Sequence, residues 1–325
     1  MKKLLLCILA LALLTACAAK NTEPAEDTQA PSPAQTQEKT EEENYNTGDA
    51  SLDDPRNQDD IGERELLVVS FGTSYNDSRR LDIGAIEEAL AEAFPKWSVR
   101  RAFTSQIIID HVYDRDGEVI DNVHEALERA VENGVRMLVV QPTHLMNGLE
   151  YEELMGELAS YADAFESVSI GAPLLSSGED FDAVADAIVD ATSEFDDGRT
   201  AIVFMGHGTE AASNIVYEQM QNVLRDKGMA NYYIGTVEAY PDVHKVLAYV
   251  AEGDYRRVVL RPLMVVAGDH ANNDMAGDDE ESWRSVFETA EYKVQCVLEG
   301  LGSVEAIQEL YIAHAKAAID AISKG

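Results

Sequence analysis

Short apolar runs alternate along most of the chain with longer segments in which apolar residues recur at helical spacing. Runs rich in Val, Ile, Leu and Phe are typical of buried strands, whereas the amphipathic segments predict helices. The predicted strands span residues 65–70, 97–103, 135–140, 167–170, 200–205, 232–237, 257–266 and 292–298. The predicted helices span residues 77–94, 121–132, 149–165, 181–195, 212–227, 243–252, 279–290 and 304–323. This alternation favours an α/β fold with parallel sheets and right-handed crossovers.

The two halves of this pattern resemble each other in their turns. The first strand of each half ends in a glycine-containing turn, Ser70-Phe-Gly-Thr73 in one and Met205-Gly-His-Gly-Thr209 in the other. The third strand of each half leads to a histidine, His144 or His270. We therefore predict two similar lobes, residues 64–196 and 197–325, each with a parallel sheet flanked by helices. Ligands of such sheets bind outside the carboxyl ends of the strands, so we expect a cleft between the lobes.

The N-terminal residues predict export rather than a fold. Lys2 and Lys3 precede an apolar run over residues 4–14, which is too short to span a bilayer and is typical of a signal peptide, residues 1–16. The run ends in Leu14-Thr-Ala-Cys17, which resembles a bacterial lipobox and predicts lipidation of Cys17. Residues 17–63 are acidic and nearly free of large apolar residues, so we expect a lipid-anchored, disordered linker. The protein should lie outside the cytoplasm, attached to a bacterial membrane through lipid alone.

Charge and cysteine content exclude two classes of protein. The chain has 60 acidic and 25 basic residues and a formal net charge of −35, which makes nucleic acid a poor partner. Of its three cysteines, only Cys296 lies in the predicted folded region. A disulfide framework is therefore excluded, and Cys296 is expected to be a strand residue.

Three histidines are candidates for chemistry because they follow strand ends. His144, His207 and His270 can converge at one edge of the fold, where neutral imidazoles would bind a divalent metal with help from a carboxylate. The four other histidines, His111, His124, His244 and His314, are expected to have surface or packing roles. The chain has no His-Glu-x-x-His, Gly-x-Ser-x-Gly, Walker or Rossmann motif. No motif therefore supports a function as an ordinary metalloprotease, hydrolase or nucleotide-binding enzyme.

Seven longer motifs carry a family resemblance over residues 65–323. They begin at Leu67 (LVVSFGTS), Arg101 (RAFTS), His144 (HLMNGLEYE), Gly171 (GAPLLSS), Phe204 (FMGHG), Val237 (VEAYPD) and Val266 (VAGDHANNDMAGDD). Together they resemble the CbiK family of anaerobic cobalt chelatases. The resemblance implies a chelatase-like fold of two similar lobes, related to ferrochelatase, and ATP-independent insertion of Co(II) into the tetrapyrrole sirohydrochlorin.

The resemblance also implies roles for individual residues. It implies that His144 and His207 bind the metal and that His144 accepts a pyrrole proton. His270, Glu179 and Glu238 are possible ligands or supports of ligands, and Glu150 is a further carboxylate that the sequence does not separate from them. Asp274 is expected to support His270. The candidate substrate-binding residues are Ser70, Thr73, Ser74, Arg101 and Asp274.

The leader and the acidic linker depart from the family, whose cobalamin-pathway members are usually cytoplasmic. They favour an alternative function, a lipoprotein that binds a tetrapyrrole, haem or a divalent metal for uptake without catalysis. The sequence leaves open whether the metal is Co, Fe or Ni, which tetrapyrrole is bound, and whether the chain forms a homo-oligomer.

Overall fold

The computed structural model describes residues 47–323, which belong to one compact unit. Its strands are β1 (Arg64–Ser70), β2 (Ser98–Phe103), β3 (Met137–Pro142), β4 (Ser167–Ile170), β5 (Thr200–Gly206), β6 (Tyr232–Thr236), β7 (Arg257–Pro262) and β8 (Lys293–Cys296). Its helices are α1 (Asn76–Ser78), α2 (Gly84–Ala93), α3 (Gln106–Asp116), α4 (Val123–Glu132), α5 (Leu149–Tyr161), α6 (Gly178–Asp190), α7 (Ile215–Asp226), α8 (Val243–Val250), α9 (Trp283–Thr289) and α10 (Glu305–Ile322). Two π-helical turns, Arg79–Ile83 and Ala271–Met275, interrupt this pattern.

The strands form two parallel sheets with equivalent orders, β2-β1-β3-β4 and β6-β5-β7-β8. We call the sheets and their helices the N-terminal lobe (64–196) and the C-terminal lobe (197–323). Strand β1 is continuously apolar because both of its faces are buried. Leu66 and Val68 pack into one hydrophobic cluster, and Leu67 and Val69 pack into another on the opposite face. Both faces of the sheet are covered, as parallel sheets require. The predicted fold class is confirmed.

Two predicted elements have different bounds in the structure, and one observed helix was not predicted. That helix is α3, whose apolar residues include the exposed Ile107. Strand β7 ends at Pro262 and not at residue 266, because the apolar residues after it belong to a loop. Helix α9 begins at Trp283 with Ser282 as its N-cap, instead of starting at residue 279.

Helix α10 is the last element of the C-terminal lobe in sequence but packs on strands β3 and β4 of the N-terminal lobe. The Tyr311 hydroxyl donates a 2.8 Å hydrogen bond to the Thr143 carbonyl. The His314 ring lies between the Ala172 carbonyl and an Asp180 carboxylate oxygen, at 3.1 and 3.0 Å, which gives this histidine the expected packing role. One hydrophobic cluster consequently runs from Leu66 through Phe204 to Tyr311.

The expectation of a disordered linker up to residue 63 is wrong for residues 47–63, which we call the N-terminal arm. The Asp53 side chain is only 1% exposed and accepts 2.6 Å hydrogen bonds from Arg79 and Arg101. The Asp77 N–H donates to the Thr47 carbonyl at 2.8 Å. The arm is therefore ordered by buried ion pairs, which an acidic composition does not reveal.

The signal peptide (1–16), Cys17 and the first part of the proposed linker lie outside the described residues. Within residues 47–323, no helix is both long enough and apolar enough to cross a membrane.

Candidate metal centre

His207 stands directly after β5 in a loop that only glycines can form. Gly208 has a φ of +87°, and a Cβ on it would lie 2.8 Å from Thr236 and 2.9 Å from Ala239. A Cβ on Gly206 would lie 2.2 Å from the Tyr217 ring. The His207 Nδ1 atom lies 2.7 Å from the Gly208 carbonyl, which can only accept a hydrogen bond. The neutral ring therefore carries its proton on Nδ1 and leaves the Nε2 lone pair for a ligand.

Glu238 is brought to His207 by the continuation of strand β6. Its N–H donates to the His207 carbonyl at 2.8 Å, which extends the β5–β6 pairing beyond the strands. Its carboxylate Oε2 lies 3.8 Å from His207 Nδ1. Both side chains are about half exposed, so a metal ion can reach them from solvent.

His270 comes from the loop that follows β7, eight residues beyond the strand end at Pro262. Its Nδ1 lies 2.7 Å from Asp274 Oδ2, one helical turn later. That hydrogen bond raises the pKa of His270 above its usual 6.5, although partial burial opposes the shift. A carboxylate that holds Nδ1–H orients the ring and strengthens Nε2 as a ligand. The expected contact between Asp274 and His270 is thus present in the structure.

The three side chains meet at the carboxyl edge of the C-terminal sheet. The His207 and His270 rings pack edge to face with centroids 4.7 Å apart. One ligand atom each from His207, Glu238 and His270 lies within 4.8 Å of the other two, and these residues form the one such group in the described part of the chain. Two imidazoles and a carboxylate suit Co, Ni, Fe or Zn, and three protein ligands leave positions open for substrate.

His144 is not part of this group, whose three members all come from one lobe. His144 lies two residues after β3, and both its ring nitrogens are buried without a hydrogen-bond partner among residues 47–323. Burial lowers the pKa of His144 to about 4, with Glu150 acting weakly in the opposite direction. That His144 and His207 share a metal stays a prediction, and the ring that packs against His207 is that of His270. His144 is a neutral imidazole at physiological pH.

The other candidate residues divide by accessibility. Glu179 is exposed in the first turn of α6 and lies outside the metal-ligand group. Ser70 is buried and its hydroxyl accepts a hydrogen bond from Thr143 at 2.7 Å. Thr73 is 3% exposed, and its hydroxyl accepts from the Tyr75 N–H. Ser74 is partly exposed.

Arg101 is not a substrate-binding residue in this structure. Its guanidinium is fully buried, with two 2.8 Å bonds to Glu87 and two further bonds to Asp53. A side chain committed to two carboxylates in this way is unavailable to the carboxylates of a ligand. The N-cap of α9 is Ser282, and the nearby Asp278 pairs with Arg284.

Comparison with known proteins places this geometry in context. A family model described as cobalt chelatase (CbiK) matches residues 64–320. The chain is 36% identical over 257 residues to a sirohydrochlorin cobaltochelatase of Salmonella typhimurium, covering 79% of this chain and 97% of that protein. It is 30% identical over 259 residues to the sirohydrochlorin cobaltochelatase CbiKC of Nitratidesulfovibrio vulgaris, covering 79% and 91%.

Solved structures show the same fold. SirB from Bacillus subtilis with Fe3+ superposes with a TM-score of 0.56 at 12% identity, covering 81% of this chain and 98% of that one. The sirohydrochlorin chelatase SirB from Bacillus subtilis subspecies spizizenii, in complex with cobalt, superposes with a TM-score of 0.55 at 13% identity, covering 81% and 97%.

Proposed function

The chain belongs to the CbiK family of cobalt chelatases, and we propose that it inserts Co(II) into sirohydrochlorin without a nucleotide. The observation that carries the proposal is the group formed by His207, Glu238 and His270, which offers two imidazole nitrogens and a carboxylate within 4.8 Å of one another. The relatives named above are cobaltochelatases, and such a ligand set suits a divalent ion that must later be released.

Metal insertion needs a site that holds the ion and an acceptor for two pyrrole protons. We call the group formed by His207, Glu238 and His270 the metal dock. In the proposed mechanism the Nε2 atoms of His207 and His270 hold Co(II), because each ring keeps its proton on Nδ1. Glu238 contributes negative charge that offsets the charge of the ion. The ring nitrogens of the macrocycle then replace these ligands one by one, and the metal leaves the protein with the product.

We retain His144 as the candidate proton acceptor, separate from the metal dock. Its ring is neutral above about pH 5, since its pKa is about 4, and neither nitrogen is engaged by the described residues. A positioned base contributes about 10²- to 10⁴-fold in rate. The ring would take the two pyrrole protons in succession and pass each one to solvent, so that it is neutral again before the next transfer.

The experiment that tests the function uses purified protein with sirohydrochlorin and Co(II), followed by the absorbance change on metal insertion. We expect a rate well above the spontaneous one, and the His207→Ala and Glu238→Gln variants should lose most of it. Fe(II) and Ni(II) in the same assay identify the preferred metal. Tight tetrapyrrole binding with no rate above the spontaneous one would contradict the proposal and support the alternative, a non-catalytic binding lipoprotein.

We also propose that the protein is an exported lipoprotein. The support is the lysine-led apolar segment before Leu14-Thr-Ala-Cys17, whose cysteine would carry the lipid. Each buried acyl methylene contributes about 0.8 kcal/mol, so two or three chains anchor a protein stably. The folded part would then work outside the cytoplasm, close to a membrane surface.

A further inference from the structure

His270 lies on a long loop, and contacts with the rest of the protein must hold this loop in place. His270 lies eight residues beyond the end of β7, whereas His207 immediately follows β5. A metal ligand works only if surrounding groups fix it within a fraction of an ångström. Asp274 fixes the ring but lies on the same loop, so it cannot fix the loop itself.

The N-terminal lobe holds this loop on both sides of one residue, Ala267. The Ala267 N–H donates to Asp82 Oδ2 at 2.9 Å, and the Ala267 carbonyl accepts from the Ser78 hydroxyl at 2.7 Å. Ser78 and Asp82 lie four residues apart in the helical segment that follows β1, so both side chains face the loop. The Asn272 side-chain amide also donates to the Ala267 carbonyl, at 3.1 Å, and so links Ala267 to the turn that follows His270.

Burial of the Asp82 carboxylate costs folding free energy, so packing alone does not explain a carboxylate at this position. It is 2% exposed, and its carboxylate is bonded by the backbone N–H groups of Ala267 and Gly300. Burial raises the pKa of Asp82 to about 7, and the two N–H groups and the more distant Arg261 offset this only in part. A Cβ on Gly300 would lie 2.6 Å from Asp82 Oδ2, so the chain keeps a glycine where the carboxylate must approach the backbone.

We propose that Ser78 and Asp82 are positioning residues that hold the His270 loop of the C-terminal lobe against the N-terminal lobe and so complete the metal dock. The inference rests on the proposed function, because it takes His270 as a ligand. Neither residue touches the metal group; each acts through the Ala267 peptide. The site thus depends on both lobes. His270 lies on a loop of the C-terminal lobe, and the residues that hold this loop, Ser78 and Asp82, lie in the N-terminal lobe.

The test compares Co(II) affinity with thermal stability in the purified protein, using Ser78→Ala, Asp82→Ala, Asp82→Asn and the ligand variant His270→Ala. Loss of groups that orient a metal ligand typically weakens binding about 10- to 100-fold. We expect Ser78→Ala and Asp82→Ala to weaken Co(II) binding about tenfold. Asp82→Asn keeps one carbonyl oxygen that can accept from the Ala267 N–H, although it loses the second acceptor oxygen, and should restore part of the affinity.

The matched control is Leu90→Ala, which removes a fully buried side chain in α2 away from the Ala267 peptide. It should lower the melting temperature and leave Co(II) affinity unchanged. Wild-type affinity in both Ser78→Ala and Asp82→Ala, or an equal loss in Leu90→Ala, overturns the positioning role. If Asp82→Ala fails to fold, Ser78→Ala decides the question, since it removes only a hydroxyl. Unchanged affinity in His270→Ala would instead overturn the metal dock, so the two failures are distinguishable.

Discussion

Replacing Asp53 by Asn tests whether the N-terminal arm is part of the folded unit. The Asp53 carboxylate accepts from Arg79 Nε and Arg101 Nη1 at 2.6 Å each, and from Arg101 Nη2 at 3.1 Å. In the Asp53→Asn variant, an NH₂ group that cannot accept these bonds replaces one oxygen, and the negative charge is lost. Two buried guanidinium groups then lose a shared partner.

Removing one partner of a buried ion pair costs about 3–5 kcal/mol, because the remaining charge stays buried and uncompensated. Arg101 keeps both bonds to Glu87, and Arg79 keeps its bond to Glu118. We therefore expect the lower end of that range, a loss of about 3 kcal/mol in the free energy of unfolding. At about 2–4 °C per kcal/mol for a chain of this size, the melting temperature should fall by about 6–12 °C.

Circular dichroism melts of the wild type and of Asp53→Asn measure the effect. The matched control is Asp54→Asn, which changes an exposed neighbour that accepts only the Arg56 N–H. It should change the melting temperature by less than about 2 °C. Equal melting temperatures for the two variants would show that the arm rests on the lobe without stabilising it.

The pH dependence of this difference has a definite sign. Burial raises the pKa of Asp53, but the hydrogen bonds and charges of Arg101 and Arg79 outweigh it, so the folded-state pKa lies below the usual 3.8. A carboxyl group with a lowered pKa stabilises the fold fully above its unfolded pKa and loses that contribution as the pH falls through its folded value. The gap between wild type and Asp53→Asn should thus be constant from about pH 5 to 8 and shrink below about pH 4.

Three further predictions concern the metal centre and the anchor. His144→Ala should reduce the insertion rate while leaving Co(II) affinity within about twofold of wild type, whereas His270→Ala should lose both; equal affinity losses would return His144 to the metal dock. Co(II) affinity should fall as the pH drops through a midpoint above 6.5, because the pKa of His270 is raised and its protonated ring cannot bind metal, and Asp274→Asn should move that midpoint down. A midpoint that ignores Asp274→Asn would refute this assignment. Cys17→Ser should move the protein from the membrane pellet to the soluble fraction, and retention after a salt wash would exclude the lipid anchor.

The periodic features of the chain were predictable from sequence. The eight strands of residues 47–323 and the two-lobed arrangement follow from apolar runs, since a parallel strand is buried on both faces and shows as a continuous run. Strand β7 was overextended because residues 263–266 are apolar for another reason: Leu263 is buried in the core although it lies beyond the strand. A run of apolar residues indicates that the residues are buried, but it does not indicate where the backbone hydrogen bonds of the strand end.

The candidate site was predicted in part. His207, Glu238, His270 and Asp274 were all named from strand ends and motifs, but the sequence did not show that the His270 ring packs against the His207 ring. Arg101 was assigned to substrate because the carboxylates of a tetrapyrrole need hydrogen-bond donors and Arg101 lies in a family-like motif. Its partners Glu87 and Asp53 lie 14 and 48 residues away in the chain, and no local pattern reports such a pairing.

Helix α10 makes the order of folding different from the order of synthesis. Strands β3 and β4 are complete early in the chain, yet the helix that covers them begins only at Glu305. The N-terminal half alone would expose the apolar face on which Tyr311 and Ala315 pack. A cut between residues 196 and 197 should therefore yield two halves that aggregate separately and recover structure only together. The N-terminal sheet should therefore gain its full cover only after α10 has been synthesised.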